Sequence, residues 1–214
     1  MTKEKRGPLL TSNVEERGTD LPTIVSSGAN ERMHGIRERD ATFDWNVFVA
    51  RAHVVFGALQ QGWSGREPLR IRPFLTDNLF QSMVYWIDLY VAQRCRNMND
   101  GARIEQIEFA NAISDAHYDA ITVRVFAIGA DYTISDDGRM LSGSKSPRRY
   151  SEYWTFVRGN VRKGTSKGDL ACPQCGAPLA ISMVGNCDHC GVKVTSGDFD
   201  WVLSRIEQDE VYSG

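Results

Sequence analysis

Ser151-Glu152-Tyr153-Trp154-Thr155-Phe156-Val157-Arg158 is the stretch on which the fold turns. Five consecutive residues, Tyr153 to Val157, are aromatic or β-branched, the chemistry that a pleated, half-buried surface selects. With Tyr150 ahead of it, the run reads as a strand over about residues 149–162.

Upstream lies a polar stretch, 135–147, rich in Asp, Gly, Ser and Lys, which reads as a loop. Before it, Ile121, Val123, Val125 and Ala127 alternate with Thr122, Arg124, Phe126 and Ile128. A period of two predicts a long strand over 117–134. Ser114-Asp115-Ala116 supplies the turn behind it. Ile104, Ile107, Phe109 and Ala110 predict an earlier strand over about 103–113, with an irregularity in its alternation.

Two helices precede the strands. Phe48, Ala52, Val55, Phe56, Leu59 and Trp63 recur at helical spacing, with Thr42 as N-cap and Asp44 in the first turn. Gly62 and Gly65 end that helix, and Pro68 opens a connector to Phe74. The second helix is expected over 77–97, capped by Thr76, with Leu79, Met83, Trp86, Ile87, Tyr90 and Val91 inward. Asn99-Asp100-Gly101 stops it. Residues 1–40 are polar, mixed in charge and broken by glycines, so they read as a flexible arm. Leu21-Pro22-Thr23-Ile24-Val25 is its apolar segment, able to dock on the domain or on a partner.

Downstream of the aromatic strand stand two hooks, Cys172-Pro173-Gln174-Cys175-Gly176 and Cys187-Asp188-His189-Cys190-Gly191. Each turns tightly and aims two thiolates at one point, so Cys172, Cys175, Cys187 and Cys190 form a metal-ligand set. Four thiolates suit tetrahedral Zn²⁺ and complete its coordination, which makes the site structural. Iron is the alternative metal. His189 lies within a hook already served by two cysteines and is not expected to ligate. The ribbon spans 170–194. A core-like pattern resumes at Phe199, Trp201, Val202, Leu203 and Ile206, predicting a fourth strand over 199–208 that pairs with the third, or else a short helix. The ribbon then replaces a hairpin turn, and 209–214 is a tail.

Composition narrows the function classes. Of 214 residues, 42% are hydrophobic and 24% charged, the balance of a soluble globular chain. The net charge of −2 excludes a general nucleic-acid binder, and the ribbon offers no stacking platform. Four paired cysteines plus a spare Cys95, read as a partly buried helix residue, fit a reducing compartment. No apolar run reaches the ~20 residues of a spanning helix, and the N-terminus lacks a secretory pattern.

Together the elements predict an α+β fold: two N-terminal helices packed on a curved antiparallel sheet, with a ribbon in the last hairpin. Phe43-Asp44, Leu59-Gln60-Gln61-Gly62-Trp63, Arg72-Pro73-Phe74-Leu75-Thr76, Tyr118-Asp119-Ala120-Ile121-Thr122-Val123 and the opening aromatic strand resemble the Tim44-like domain family. The resemblance covers about 43–163 and 198–207, in a domain placed at 41–208. It implies a cone similar to nuclear transport factor two, with an apolar pocket between helices and sheet. It also implies peripheral association with anionic membrane and a tethering role. Mitochondrial relatives carry no ribbon at this hairpin, which points to a bacterial-type member.

The expected function is a non-enzymatic binding or scaffold domain, cytoplasmic and peripheral to the inner membrane or within a protein assembly. Arg148, Arg149, Arg158, Arg162 and Lys163, with Lys167, Arg66, Arg70 and Arg72, form the candidate contact with an anionic surface or acidic protein. The cone pocket is the candidate site for an apolar ligand. A small-molecule enzyme of this fold is the rival, using residues among His53, His117, Asp119, Asp131, Tyr132 and Tyr153. A structural subunit of a larger complex is the second rival.

Overall fold

The computed structural model describes residues 20–163 and 171–214. Expectations placed on 1–19 and 164–170, Lys167 among them, lie outside these.

The chain runs α1 (Ala29–Arg39), α2 (Trp45–Gly65), α3 (Pro68–Ile71), a 3₁₀ turn (Arg72–Phe74) and α4 (Asp77–Ala92). The strands follow: β1 (Cys95–Ser114), β2 (Tyr118–Ser135), β3 (Met140–Gly143), β4 (Arg148–Gly159) and β5 (Val202–Gln208). The pairings among these strands are antiparallel, in the order β1-β2-β4-β5, with β3 on the end of β2. This is the expected α+β arrangement of helices on a curved sheet.

The aromatic strand is β4, and its alternation sets both faces of the sheet. Trp154 lies opposite Val123 and Phe156 opposite Ile121, all four fully buried against the helices. The apolar stripe of α2 meets them there. Phe56 packs on Trp154 with centroids 5.7 Å apart, and Phe48 packs edge-on to Phe156 at 5.3 Å and Trp201 at 5.4 Å. These rings pack the centre of the interface between helices and sheet, and a cavity of about 320 Å³ lies between α1, α2 and β1, lined by Met33, Trp45 and Phe109 among others.

Several boundaries differ from the sequence expectation. Residues 29–39 are not a flexible arm but helix α1. Its Ala29, Met33 and Ile36 are buried at spacings of four and three, a sparse stripe diluted by charges. Arg32 fastens it to β1 by donating to Asn111 Oδ1 at 2.8 Å and to the carbonyl of Ala112. The cap of α2 is Asp44, not Thr42. Its carboxylate accepts the amides of Asn46 at 2.7 Å and Val47 at 3.0 Å, satisfying donors that the first turn leaves over. Thr76 holds the N-cap position of α4 without a side-chain bond. That helix stops at Ala92 rather than 97, because Arg94 takes φ +51° and turns the chain into β1. Cys95 is therefore a buried strand residue. The polar stretch 135–147 contains β3, which pairs back on β2.

The strand expected over 199–208 is present but begins only at Val202: β5 pairs with β4 through Phe156–Leu203 and Val157–Val202. The expected irregularity of β1 is present, with three register shifts against β2.

Both ends of the described chain close over the outer sheet face, opposite the helices. Arg124 is buried there and forms a two-pronged pair with Asp209, at 3.1 and 2.7 Å. It also donates to the carbonyl of Leu21 at 2.6 Å. Tyr153 accepts the amide of Ile24 at 2.9 Å and stacks on Tyr212, centroids 3.8 Å apart. Residues 209–212 are thus part of the domain and not a free tail.

Candidate metal centre and its attachment to the cone

The two hooks repeat one local structure. Gly176 and Gly191, each following a second cysteine, take φ of +72° and +75°, a conformation that glycine adopts without penalty. Their amides donate back to the carbonyls of Cys172 and Cys187, both at 2.8 Å. The amides of Cys172 and Cys187 reach forward to the carbonyls of Ala177 (2.7 Å) and Val192 (2.9 Å). The same bonding thus serves both hooks and turns all four sulfurs to one point.

The four Sγ atoms lie within 4.8 Å of one another, with Cys172–Cys190 at 3.8 Å and Cys175–Cys187 at 4.0 Å. A tetrahedron with Zn–S bonds of about 2.3 Å separates its sulfurs by about 3.8 Å, so the donor set fits such an ion. Electrostatics point the same way. Burial acts upward on the Cys172 thiol, but the amides of Cys175 and Gln174 and the neighbouring thiols bring it to about 7. The Val192 amide acts downward on Cys190, yet burial and the three other sulfurs push it up to about 12. The opposite directions for Cys172 and Cys190 reflect repulsion between close thiolates, which a divalent cation between them would relieve.

The ribbon's own apolar cluster is small: Cys172, Ile181, Cys187 and Val194, with Leu179 and Val192 against it. It does not stand free of the cone. Arg72 extends from the corner between α3 and α4, 1% exposed, with its guanidinium 4.6 Å from the centre of the Phe80 ring. It donates to the carbonyls of Met183 in the ribbon (2.8 Å) and Leu75 in the cone (3.0 Å), and pairs with Asp77. Lys193 of the ribbon reaches the same Asp77 carboxylate, at 2.8 and 2.9 Å. Burial acts upward on Asp77, but bonds from Lys193 and Arg72 outweigh it and hold the carboxyl below its usual range. Sequence reasoning missed this contact, having assigned Arg72 to an exposed basic patch.

Along the same seam lies a groove of about 430 Å³, lined by Arg51, Val54, Phe74, Cys172, Pro173 and Leu179 among others.

The basic cluster does not assemble. Arg158 is buried, bonded to Asp40 at 2.9 Å and lying over the Trp201 ring at 4.7 Å, so it is no surface contact. Arg148 pairs with Asp131 at 3.5 Å and Arg149 with Glu105 at 2.9 Å, at the start of β4. Arg162 and Lys163 follow its other end, about 35 Å away by strand rise. Arg162 lines the groove at the ribbon seam, whereas Lys163 is exposed, and the same end of the sheet carries the exposed apolar residues Ile113 (53% exposed), Tyr118 (39%) and Val161 (87%). The amide of Asn160 donates to the carbonyl of His117 at 2.8 Å, which keeps the two parts of this tip together.

The enzymatic candidates scatter. His53 and His117 are exposed on α2 and at the β1–β2 turn. Asp119 is buried against Arg39 at 2.6 Å, and Asp131 accepts from Asn97 at 2.6 Å. Tyr132 donates to Asp100, and that bond, with burial, pushes its phenol up to about 12. Tyr153 lies on the outer face, away from the helices. His189 is exposed and outside the sulfur cluster. Among the described residues no helix is long and apolar enough to cross a membrane.

Residues 29–168 match the family model of the Tim44-like domain, a match that begins at the first residue of α1 and ends before the hooks. Comparison with curated proteins gives no match.

Proposed function

Because this chain belongs to the Tim44-like domain family, we propose that it is a non-enzymatic binding or scaffold domain working at an anionic membrane surface, with Zn²⁺ held by its four cysteines. The observation that carries the surface reading is the tip of the sheet. Ile113, Tyr118 and Val161 are exposed there among the described residues, and the basic Arg162 and Lys163 follow Val161 in the chain. Apolar side chains beside basic ones suit a headgroup boundary: the first enter it, the second meet its charge. Against an enzyme stands the scatter of the titratable candidates, several held in pairs and none seen to converge on another. Cysteines that form no disulfide among the described residues support a reducing compartment, in keeping with a cytoplasmic face peripheral to the membrane.

The zinc is structural on this reading. It supplies the ribbon's folding energy and performs no reaction, since four protein sulfurs complete the tetrahedral set.

Co-sedimentation with phosphatidylglycerol vesicles at low salt tests the surface role. Binding is expected, weakening as salt screens the charges, and Val161→Asp is expected to reduce it several-fold. Absence of binding at low salt removes the membrane and leaves the protein-assembly reading.

A further inference from the structure

We infer that metal occupancy of the four cysteines and the packing of the α3–α4 corner are coupled through Arg72, making the ribbon a metal-dependent clasp on the cone. The inference rests on the zinc reading above and concerns what that ion does beyond the ribbon.

The ribbon's half of the clasp is positioned by its own backbone. Met183 offers its carbonyl from a tight turn, closed by the amide of Gly185 on the carbonyl of Ser182 at 2.8 Å. That turn belongs to the hairpin carrying the second hook. Ile181 bridges to Cys187 and Asn186 to Lys193, and the amide of Val194 donates to the carbonyl of Gly185 at 2.9 Å. The Met183 carbonyl and the Lys193 ammonium therefore stand where they do only while the second hook is folded. The ribbon's apolar cluster is too small to fold it by burial, so that condition amounts to metal being bound.

The fit at the contact is close. Gly185 takes φ +84°, and a Cβ there would lie 2.2 Å from Thr195 Oγ1 and 2.5 Å from an Arg72 amino nitrogen. The backbone thus comes right up to the guanidinium. On the cone side, Arg72 holds the Leu75 carbonyl and Asp77, the first residue of α4. The adjoining Thr76 amide donates to Leu203 of β5 at 3.0 Å. Release of the ribbon leaves a buried arginine short of an acceptor and strips Asp77 of Lys193. The first turn of α4 must then rearrange or take up water.

Coupling is reciprocal: if zinc steadies the clasp, the clasp tightens zinc. The test is a competition titration of Zn²⁺ against a chromophoric chelator with the full chain. Arg72→Met keeps an apolar, unbranched side chain at the position and removes the donors, together with the guanidinium over Phe80. It is expected to weaken zinc binding about 5- to 100-fold, though no ligand is touched. Lys193→Ala, a milder change at the rim, is expected to act in the same direction and carries the test if Arg72→Met does not fold. In the wild-type chain, chelation is expected to speed hydrogen exchange at the amides of Leu75 and Phe80 at least about tenfold, while β2 and β4 stay protected. Zinc affinity within twofold of wild type in the folded variants, with exchange at α4 unmoved by chelation, overturns the coupling and leaves the zinc site standing. Failure of the wild-type chain to bind Zn²⁺ overturns both.

Discussion

The cone and the ribbon are held by different physics. Among the described residues the cone gathers 21 buried apolar residues into one cluster, whereas the ribbon gathers four, two of them its own cysteines. A fully buried large side chain contributes about 1.5–3 kcal/mol, while ordering costs about 1–2 kcal/mol per residue. Two aliphatic side chains cannot offset the ordering of the ribbon, and on the proposed reading a metal supplies the difference. The seam between the regions teaches a further point. What joins them includes the buried polar contacts of Arg72, Asp77 and Lys193, which depend on geometry more than on area.

The largest effect is expected in the cone. Trp154→Ala removes a fully buried ring that packs against Phe56 and Phe156. It should cost about 3–5 kcal/mol in urea unfolding and take the ribbon's footing with it. A loss below about 1 kcal/mol would break the view that this strand centres the core.

Next comes the ribbon. Cys172→Ser, or chelation, should expose the amides of 171–194 to hydrogen exchange while β2 and β4 remain slow. Global unfolding would erase the distinction between the two regions. Local melting, extended to the first turn of α4, would sharpen it.

Acid gives the smallest and most graded separation. Protons compete with metal for thiolates, so the ribbon should loosen first as pH falls. In the cone, the amides of His117 and Tyr118, both at 2.7 Å, hold the Asp115 carboxyl below its usual range. A carboxyl lowered on folding contributes stability that is fully present above its unfolded value of about 3.9. That contribution disappears as pH falls through the lower folded value. The β1–β2 turn should therefore persist below about pH 4, after the ribbon has opened, as followed by the Tyr118 ring resonances. Simultaneous loss would count against separate stabilisation.

The local elements were legible where spacing carried them. Ile121 to Ala127 announced β2, the helical stripe from Phe48 to Leu59 announced α2, and the hooks announced their own sulfur cluster. Helix α1 was harder to read because three buried residues among charges give a weak period. The cap of α2 was misplaced because Thr42 and Asp44 both carry a capping oxygen, and the backbone alone chose between them.

What sequence by itself determined is whatever depends on neighbours a few residues away: the alternation of β2 and β4, the α2 stripe, the knuckle glycines and the family. What only the tertiary structure decided is the fate of the charges. Arg158 meets Asp40 across 118 positions, Arg72 meets Met183 across 111, and Arg124 meets Asp209 across 85. An arginine on a strand looks the same in sequence whether it faces water or a buried carboxylate. Its role is set by a partner that folding brings from far along the chain, through desolvation and pairing that no local pattern encodes.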